Sequence, residues 1–273
     1  MKTNLRHMFI EFHMLRPSYS WKSKYVTQEG FEMTLKKTLL AALCLVGFLV
    51  SASSGFAMPF FSEATSKQAV ILSPLEKWMP TWDLESYILL IEHAGYRVDV
   101  LLNENASIAF LKTGLADYDL VVLRTDAFIR EGLTFYCAGD TADLQAREKF
   151  GGEISSNEVE VAACVGFSVL FLGHYYTAGT LKHGLVYVLA SESAELSSSF
   201  TSAGAAAFIG YYSAHSIQWG RLDAYSIQLL YYMSEGSSVA DAVIQLYVYL
   251  NTGHGKTADW VTPYWSGDGT YTI

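Results

Sequence analysis

Apolar and polar positions along this chain follow two periods, and the change from one to the other marks the elements. "AVIL" at 69–72 is a short unbroken apolar run ended by Ser73-Pro74. Such a run, without alternation, predicts a strand buried on both faces. Residues 83–93 switch to helical spacing, with Leu84, Tyr87, Ile88 and Ile91 at i, i+3, i+4 and i+7, and Gly95 stops the helix. A second strand is expected over 97–102, a shorter helix over 106–113 stopped by Gly114, and a third strand over 120–123. Strand, helix, strand, helix, strand at this spacing implies right-handed crossovers and a parallel sheet.

The second half repeats the theme less evenly. Residues 131–160 are polar and contain Gly, which predicts a loop carrying a hairpin with strands at 159–164 and 167–172. A short helix is expected over 177–183, then the core strand "LVYVL" at 185–189, a helix over 196–203 stopped by Gly204, and a strand over 205–209. Two helices follow, 222–233 and 239–250. The second begins behind Ser238 with Asp241 three residues on, close to a capping box. The tail from 257 reads as extended. The fold class is therefore α/β, a mostly parallel sheet with helices on both faces.

The N-terminal pattern is of another kind. "MTLKK" at 33–37 is basic, 39–50 is apolar throughout, and "SASSGFA" at 51–57 is small and weakly polar. That order is a secretory signal. It divides the chain into a mis-assigned leader at 1–32, a signal peptide at 33–57 and one α/β domain at 58–273. The apolar run is shorter than the ~20 residues a bilayer span needs, so membrane contact is expected only through this segment, if it stays uncleaved. The expected location is secreted or periplasmic.

Charge now matters more than the whole-chain figure suggests. Of 18 Lys/Arg and 27 Asp/Glu, removal of 1–57 leaves 11 and 24, a net charge of −13. An acidic surface repels phosphate backbones, which argues against nucleic acid as a partner. Cys44 leaves with the signal. Cys137 and Cys164 remain in a chain bound for an oxidising compartment, compatible with one disulfide or with two buried thiols.

Ligands of open parallel sheets meet the carboxyl ends of the strands. Those tips carry Ser73-Pro74, Asn103-Glu104, Arg124-Thr125-Asp126, Ser191-Glu192-Ser193 and Gly210-Tyr211-Tyr212-Ser213. Together with "VVLRTDAF", "GLVYVLASESAELSSSFTSAGAAAFIGYYSAH" and "VTPYWSGDGTYTI", this order resembles the caspase-like fold of the clostripain, gingipain and CHAT-type cysteine peptidases, above all exported bacterial and archaeal members. The resemblance runs from about Ala69 to the C-terminus. It implies a His after one core strand and a Cys after its neighbour, the thiolate attacking a peptide carbonyl. Those positions fall at Asp126 and at Glu192 or Ser193, and neither required residue is there.

The sequence therefore departs from the resemblance at its dyad, so no catalytic residue is assigned, and with no metal-ligand His cluster in the sequence no metal or cofactor is expected. Arg124, Asp126, Glu192 and Ser193 form the candidate ligand edge, for a peptide or protein partner. Asp126 and Glu192 are expected at the ends of neighbouring parallel strands, where two carboxylates could hold a cation or be neutralised by Arg124. If they share a site without a cation, one of them should titrate high. The bland alternative has Asp126 capping a turn and Glu192 solvated. His254 and His183 read as residues beside helix-stop glycines, His174 as a structural histidine in an apolar hairpin. A Cys164/His174 dyad would lie off the usual edge; an active cysteine peptidase or hydrolase whose dyad these placements do not identify is the second alternative, and a structural envelope protein the third. No Walker loop, G-x-G-x-x-G or G-x-S-x-G is present.

Overall fold

The computed structural model describes residues 67–81, 83–212, 219–252 and 262–273. The leader, the signal segment and Gly253-His254-Gly255 lie outside the described residues.

In chain order the elements are β1 (Lys67–Ser73), α1 (Leu84–His93), β2 (Tyr96–Leu102), α2 (Ile108–Thr113), β3 (Leu120–Arg124), β4 (Ala127–Arg130), β5 (Leu133–Ala138), α3 (Leu144–Lys149), α4 (Gly151–Ser155), β6 (Val159–Val161), β7 (Val165–Phe167), α5 (Val169–Tyr175), β8 (Leu185–Leu189), α6 (Ser197–Ser202), β9 (Ala207–Tyr212), α7 (Trp219–Ser234), α8 (Val239–Asn251) and β10 (Thr262–Gly267). Six strands make the central sheet in the order β10-β9-β8-β3-β1-β2. All neighbours in it are parallel except β10, which runs antiparallel to β9.

Side-chain alternation divides this sheet into two faces. Val70, Leu72, Val121, Leu123, Val186, Val188 and Phe208 pack against α2, α5, α6 and the smaller sheet. Ala69, Ile71, Leu120, Val122, Tyr187, Ile209 and Tyr211 pack against α1, α7 and α8. Continuous apolar runs are thus required, because each residue of these strands meets a helix layer on one side or the other.

The middle of the chain departs from the sequence pattern. β4, β5, β7 and β6 form a second, antiparallel sheet in the order β4-β5-β7-β6. Residues 131–160 are no loop: they hold β5, then α3, whose cap Asp143 accepts the Ala146 amide, then α4. The expected strand over 167–172 stops at Phe167. Ser168 accepts the Leu170 amide and caps α5, which buries Phe171 and Leu172 on one side. The helix expected over 177–183 does not form. Gly179 takes a positive φ of 78°, and the Leu181 amide is used by the Ala203 carbonyl. Cys137 and Cys164 are joined, tying β5 to the turn between β6 and β7.

β8 is seated against β3 by a close backbone approach. A Cβ on Gly184 would lie 2.1 Å from the Asp119 carbonyl oxygen, which also accepts the Leu185 amide. Backbone cannot yield there without moving the strand. Gly184→Ala is expected to destabilise by about 2–3 kcal/mol or more. Gly152→Ala, where an added Cβ has no atom within 4 Å, should be neutral or stabilising. Urea denaturation of both variants checks the pair.

Candidate functional site

The carboxyl ends of β3 and β8 lie side by side. The register runs from Leu120↔Leu185 to Arg124↔Leu189, and the Thr125 amide still donates to Leu189. The segments after the two strands therefore leave the sheet at the same end, on neighbouring strands.

Arg124 does not face that end. It is 2 % exposed, and alternation turns it to the face of Leu120 and Val122, toward α1 and α7. Its Nε lies 2.7 Å from Asp223 Oδ1 and its Nη2 3.0 Å from Oδ2, a bidentate pair. Nη1 donates to the Met79 carbonyl at 2.6 Å and Nη2 to that of Pro80 at 3.4 Å. Glu76 stands 3.9 Å from Nη1. Burial alone would raise the Glu76 carboxyl; hydrogen bonds from Thr81 and Ser73, with the Arg124 charge, outweigh it and hold the group below its usual value. Arg124 thus leaves the candidate edge: its charge is spent inside.

Next to this pair lies a buried hydroxyl network. The Tyr187 and Tyr211 hydroxyls are 2.6 Å apart, Tyr187 donates to Ser226 at 2.8 Å, and Ser226 donates to the Leu222 carbonyl at 2.7 Å. Tyr87 reaches Asp223 at 3.4 Å. Burial pushes the Tyr211 phenol up to about 12 and raises Tyr187 and Tyr87 well above their ordinary value. All three stay protonated and act as donors.

Ser193 also leaves the edge. It is fully buried, donates to the Val188 carbonyl at 3.0 Å and accepts the Tyr211 amide at 2.9 Å. It stitches β8 to β9, so its hydroxyl is committed to backbone groups.

Asp126 and Glu192 remain at the edge, and two consecutive residues of β5 hold their backbones. The Tyr136 hydroxyl donates to the Glu192 carbonyl at 2.8 Å, and the Cys137 amide donates to the Asp126 carbonyl at 2.9 Å. Thr125 adds a hydrogen bond of 2.6 Å to the Cys137 carbonyl. Glu192 is left-handed, with φ 57°, a conformation that costs an L-residue free energy, and its carbonyl also accepts the Glu195 amide at 3.1 Å. The Asp126 side chain accepts the Ala127 amide at 2.8 Å. Burial raises its pKa, and that amide partly offsets the rise. The cause is burial rather than the charge of Glu192. The Tyr136 phenol is raised by burial first, then by the charges of Glu195 and Glu192. The exposed Glu195 thus belongs to the same acidic edge, and the tip sequences did not point to it.

A Cys164/His174 dyad fails on chemistry. Cys164 is disulfide-bonded and offers no thiolate. His174 sits on α5 rather than in a hairpin, with Nδ1 2.7 Å from Glu158 Oε1. His183 is exposed in the turn before β8. Among the described residues, no group of three or more His, Cys, Asp or Glu could hold a metal.

No family model matches the chain, and no curated protein sequence matches it. Solved structures similar to it include the Drosophila initiator caspase Dronc, at 10% identity over 76% of this chain and 81% of that one, with a TM-score of 0.40. A Geobacter sulfurreducens protein is 12% identical over 73% of this chain and 92% of its own, with a TM-score of 0.41.

The Asp126 shift has a definite sign. A carboxyl whose folded pKa lies above its unfolded value binds its proton more tightly in the fold, so stability is lost as pH rises through the folded value. The contribution is fully present only below the unfolded value, near 3.8. Asp126→Asn keeps an acceptor for the Ala127 amide and cannot ionise. It should melt higher than wild type at pH 7, by up to about 4 °C. The gain should vanish at pH 3 in a thermal-melt series.

Proposed function

We propose that the chain is an exported, catalytically inactive protein of caspase-like topology that binds a peptide or protein partner through the acidic edge beyond β3 and β8. One observation carries this reading: β3 and β8 are direct parallel neighbours, and the sequence resemblance assigns its His and Cys to the tips of these strands, at Asp126 and at Glu192 or Ser193. Acyl transfer needs a nucleophile with a base in reach. The two domain cysteines are oxidised together, and the Ser193 hydroxyl is committed to backbone. Carboxylates at a strand-tip edge are instead the complement of a cationic group.

The chemistry of the edge narrows the partner. Asp126, Glu192 and Glu195 are of one sign, and Arg124 is turned away and paired with Asp223. A Lys or Arg side chain, or a free amino terminus, is the complementary group, and the acidic surface favours its approach. Export rests on the basic, apolar, small-residue order over 33–57. No described helix is long and apolar enough to cross a membrane.

Titration of the isolated protein with fluorescent Lys- and Arg-containing peptides tests the proposal. Binding should weaken with salt, and Asp126→Asn with Glu192→Gln should lower affinity about tenfold or more. Hydrolysis of Arg-, Lys- or Asp-directed substrates should stay at background. Turnover abolished by Cys164→Ala, or basic-peptide binding unchanged in the double variant, would refute it.

A further inference from the structure

The long sheet edge at β2 is a separate feature, at the opposite side of the sheet from β9 and β10. β2 has seven residues and pairs only with β1 among the described strands. Apart from that pairing, its backbone takes part in no hydrogen bond with other described residues. An open edge is a template for a further strand, and proteins blunt such edges with Pro, bulges, very short strands or charged side chains. The other edges of this fold are blunted. β10 carries Pro263, and β4 and β6 have four and three residues. β2, "YRVDVLL", has no Pro or Gly, and its only charged side chains are Arg97 and Asp99.

Those two charges select one mode of pairing. Residues 97 and 99 project to the same face, while Tyr96, Val98 and Val100 project to the other. If two copies of β2 ran parallel and in register, Arg97 would meet Arg97 and Asp99 would meet Asp99. Like charges directly opposite destabilise a strand pair. If they run antiparallel about a two-fold axis at Val98, each Arg97 lies opposite Asp99 of the second copy. On the other face Tyr96 then lies opposite Val100, and Val98 opposite Val98, the aromatic and β-branched pairs that stabilise neighbouring strands. A slip by one residue sets side chains of opposite faces against each other. A slip by two in either direction sets Arg97 against Arg97 or Asp99 against Asp99. Among these registers, this one pairs residues 96–100 without opposing like charges, while Leu101 and Leu102 extend beyond the paired segment.

The Asp99 carboxylate is already oriented. Its Oδ2 accepts the Tyr118 hydroxyl at 3.0 Å, which leaves Oδ1 for a guanidinium. Arg97 is exposed, and Val98 to Leu102 are all only partly buried. A self-complementary strand of this kind fits an isologous contact, in which the same patch serves both partners.

We propose that β2 is the interface of a symmetric dimer: two copies of this chain pair their β2 strands antiparallel about Val98, and Arg97 and Asp99 form reciprocal cross-strand ion pairs. The two central sheets then continue into one another. The acidic edge at the tips of β3 and β8 lies two and three strands inward of this interface in the order of the sheet, so a dimer presents two such edges.

Sedimentation velocity of the purified chain over about 1–100 µM should show a reversible dimer that tightens as salt is lowered. Arg97→Asp sets a carboxylate opposite Asp99 of the second copy, and Asp99→Arg sets a guanidinium opposite Arg97. Each alone should weaken the dimer at least about tenfold. An equimolar mixture of these two variants should restore association, because both cross-strand pairs again have opposite signs. The double variant in one chain should dimerise like wild type, which separates lost pairing from lost folding. A wild-type chain monomeric across the range overturns the proposal. So does a dimer that neither single variant weakens, or a mixture that associates no better than its components.

Discussion

The fold is organised around a guanidinium that has to be buried. Arg124 ends a core strand and is 2 % exposed, and an unpaired charge at that depth would cost several kcal/mol. Its requirement is met by elements distant in the chain. Asp223 comes from α7, 99 residues on, and the Met79 and Pro80 carbonyls come from the segment after β1. α1 joins through the Tyr87 hydroxyl, which reaches the same carboxylate. A single side chain thus draws together the β1 exit, the β3 tip and two helices of one face. Truncating either partner strands the other, which makes the pair a constraint on topology more than a source of net stability.

That commitment shapes the edge beyond it. With Arg124 turned inward and Ser193 used between β8 and β9, the tips of β3 and β8 keep acidic side chains and no cation of their own strands. The second sheet determines where those groups stand. Tyr136 and Cys137 of β5 bind the Glu192 and Asp126 carbonyls, and the disulfide fastens β5 to the β6–β7 turn. The antiparallel sheet therefore acts as a brace for the tips of the parallel one, and Asp126 is carried into surroundings that raise its pKa.

The parallel half was legible because both of its faces are buried. Uninterrupted runs such as 69–72 and 185–189 have few other readings, and β1, β2, β3, β8 and β9 fall where the pattern puts them. The expected α/β class, with a mostly parallel sheet between helix layers, holds. The second sheet was not legible. Its strands have three to six residues, too few to establish a period, and "VLFLGHY" is apolar enough for a strand until the Ser168 cap decides for a helix. At the site, the sequence located the tips and the adjacency of β3 and β8 but not the direction of the side chains. Arg124 looked available because nothing local reveals a partner 99 residues away. The available hints were indirect: a tyrosine in the middle of "LVYVL", and an aspartate and a serine at 223 and 226 on the buried side of a helix.

A double-mutant cycle on Arg124 and Asp223 tests the central constraint. Stability would be measured by urea denaturation for wild type, Arg124→Met, Asp223→Leu and the double variant. Each single change should cost about 3–5 kcal/mol, because it leaves one buried charge without its partner. The double variant should fall short of the sum by about 2 kcal/mol or more, within the range of coupling expected for residues in direct contact. Additive costs, or single losses below about 1 kcal/mol as for an exposed pair, would contradict the account.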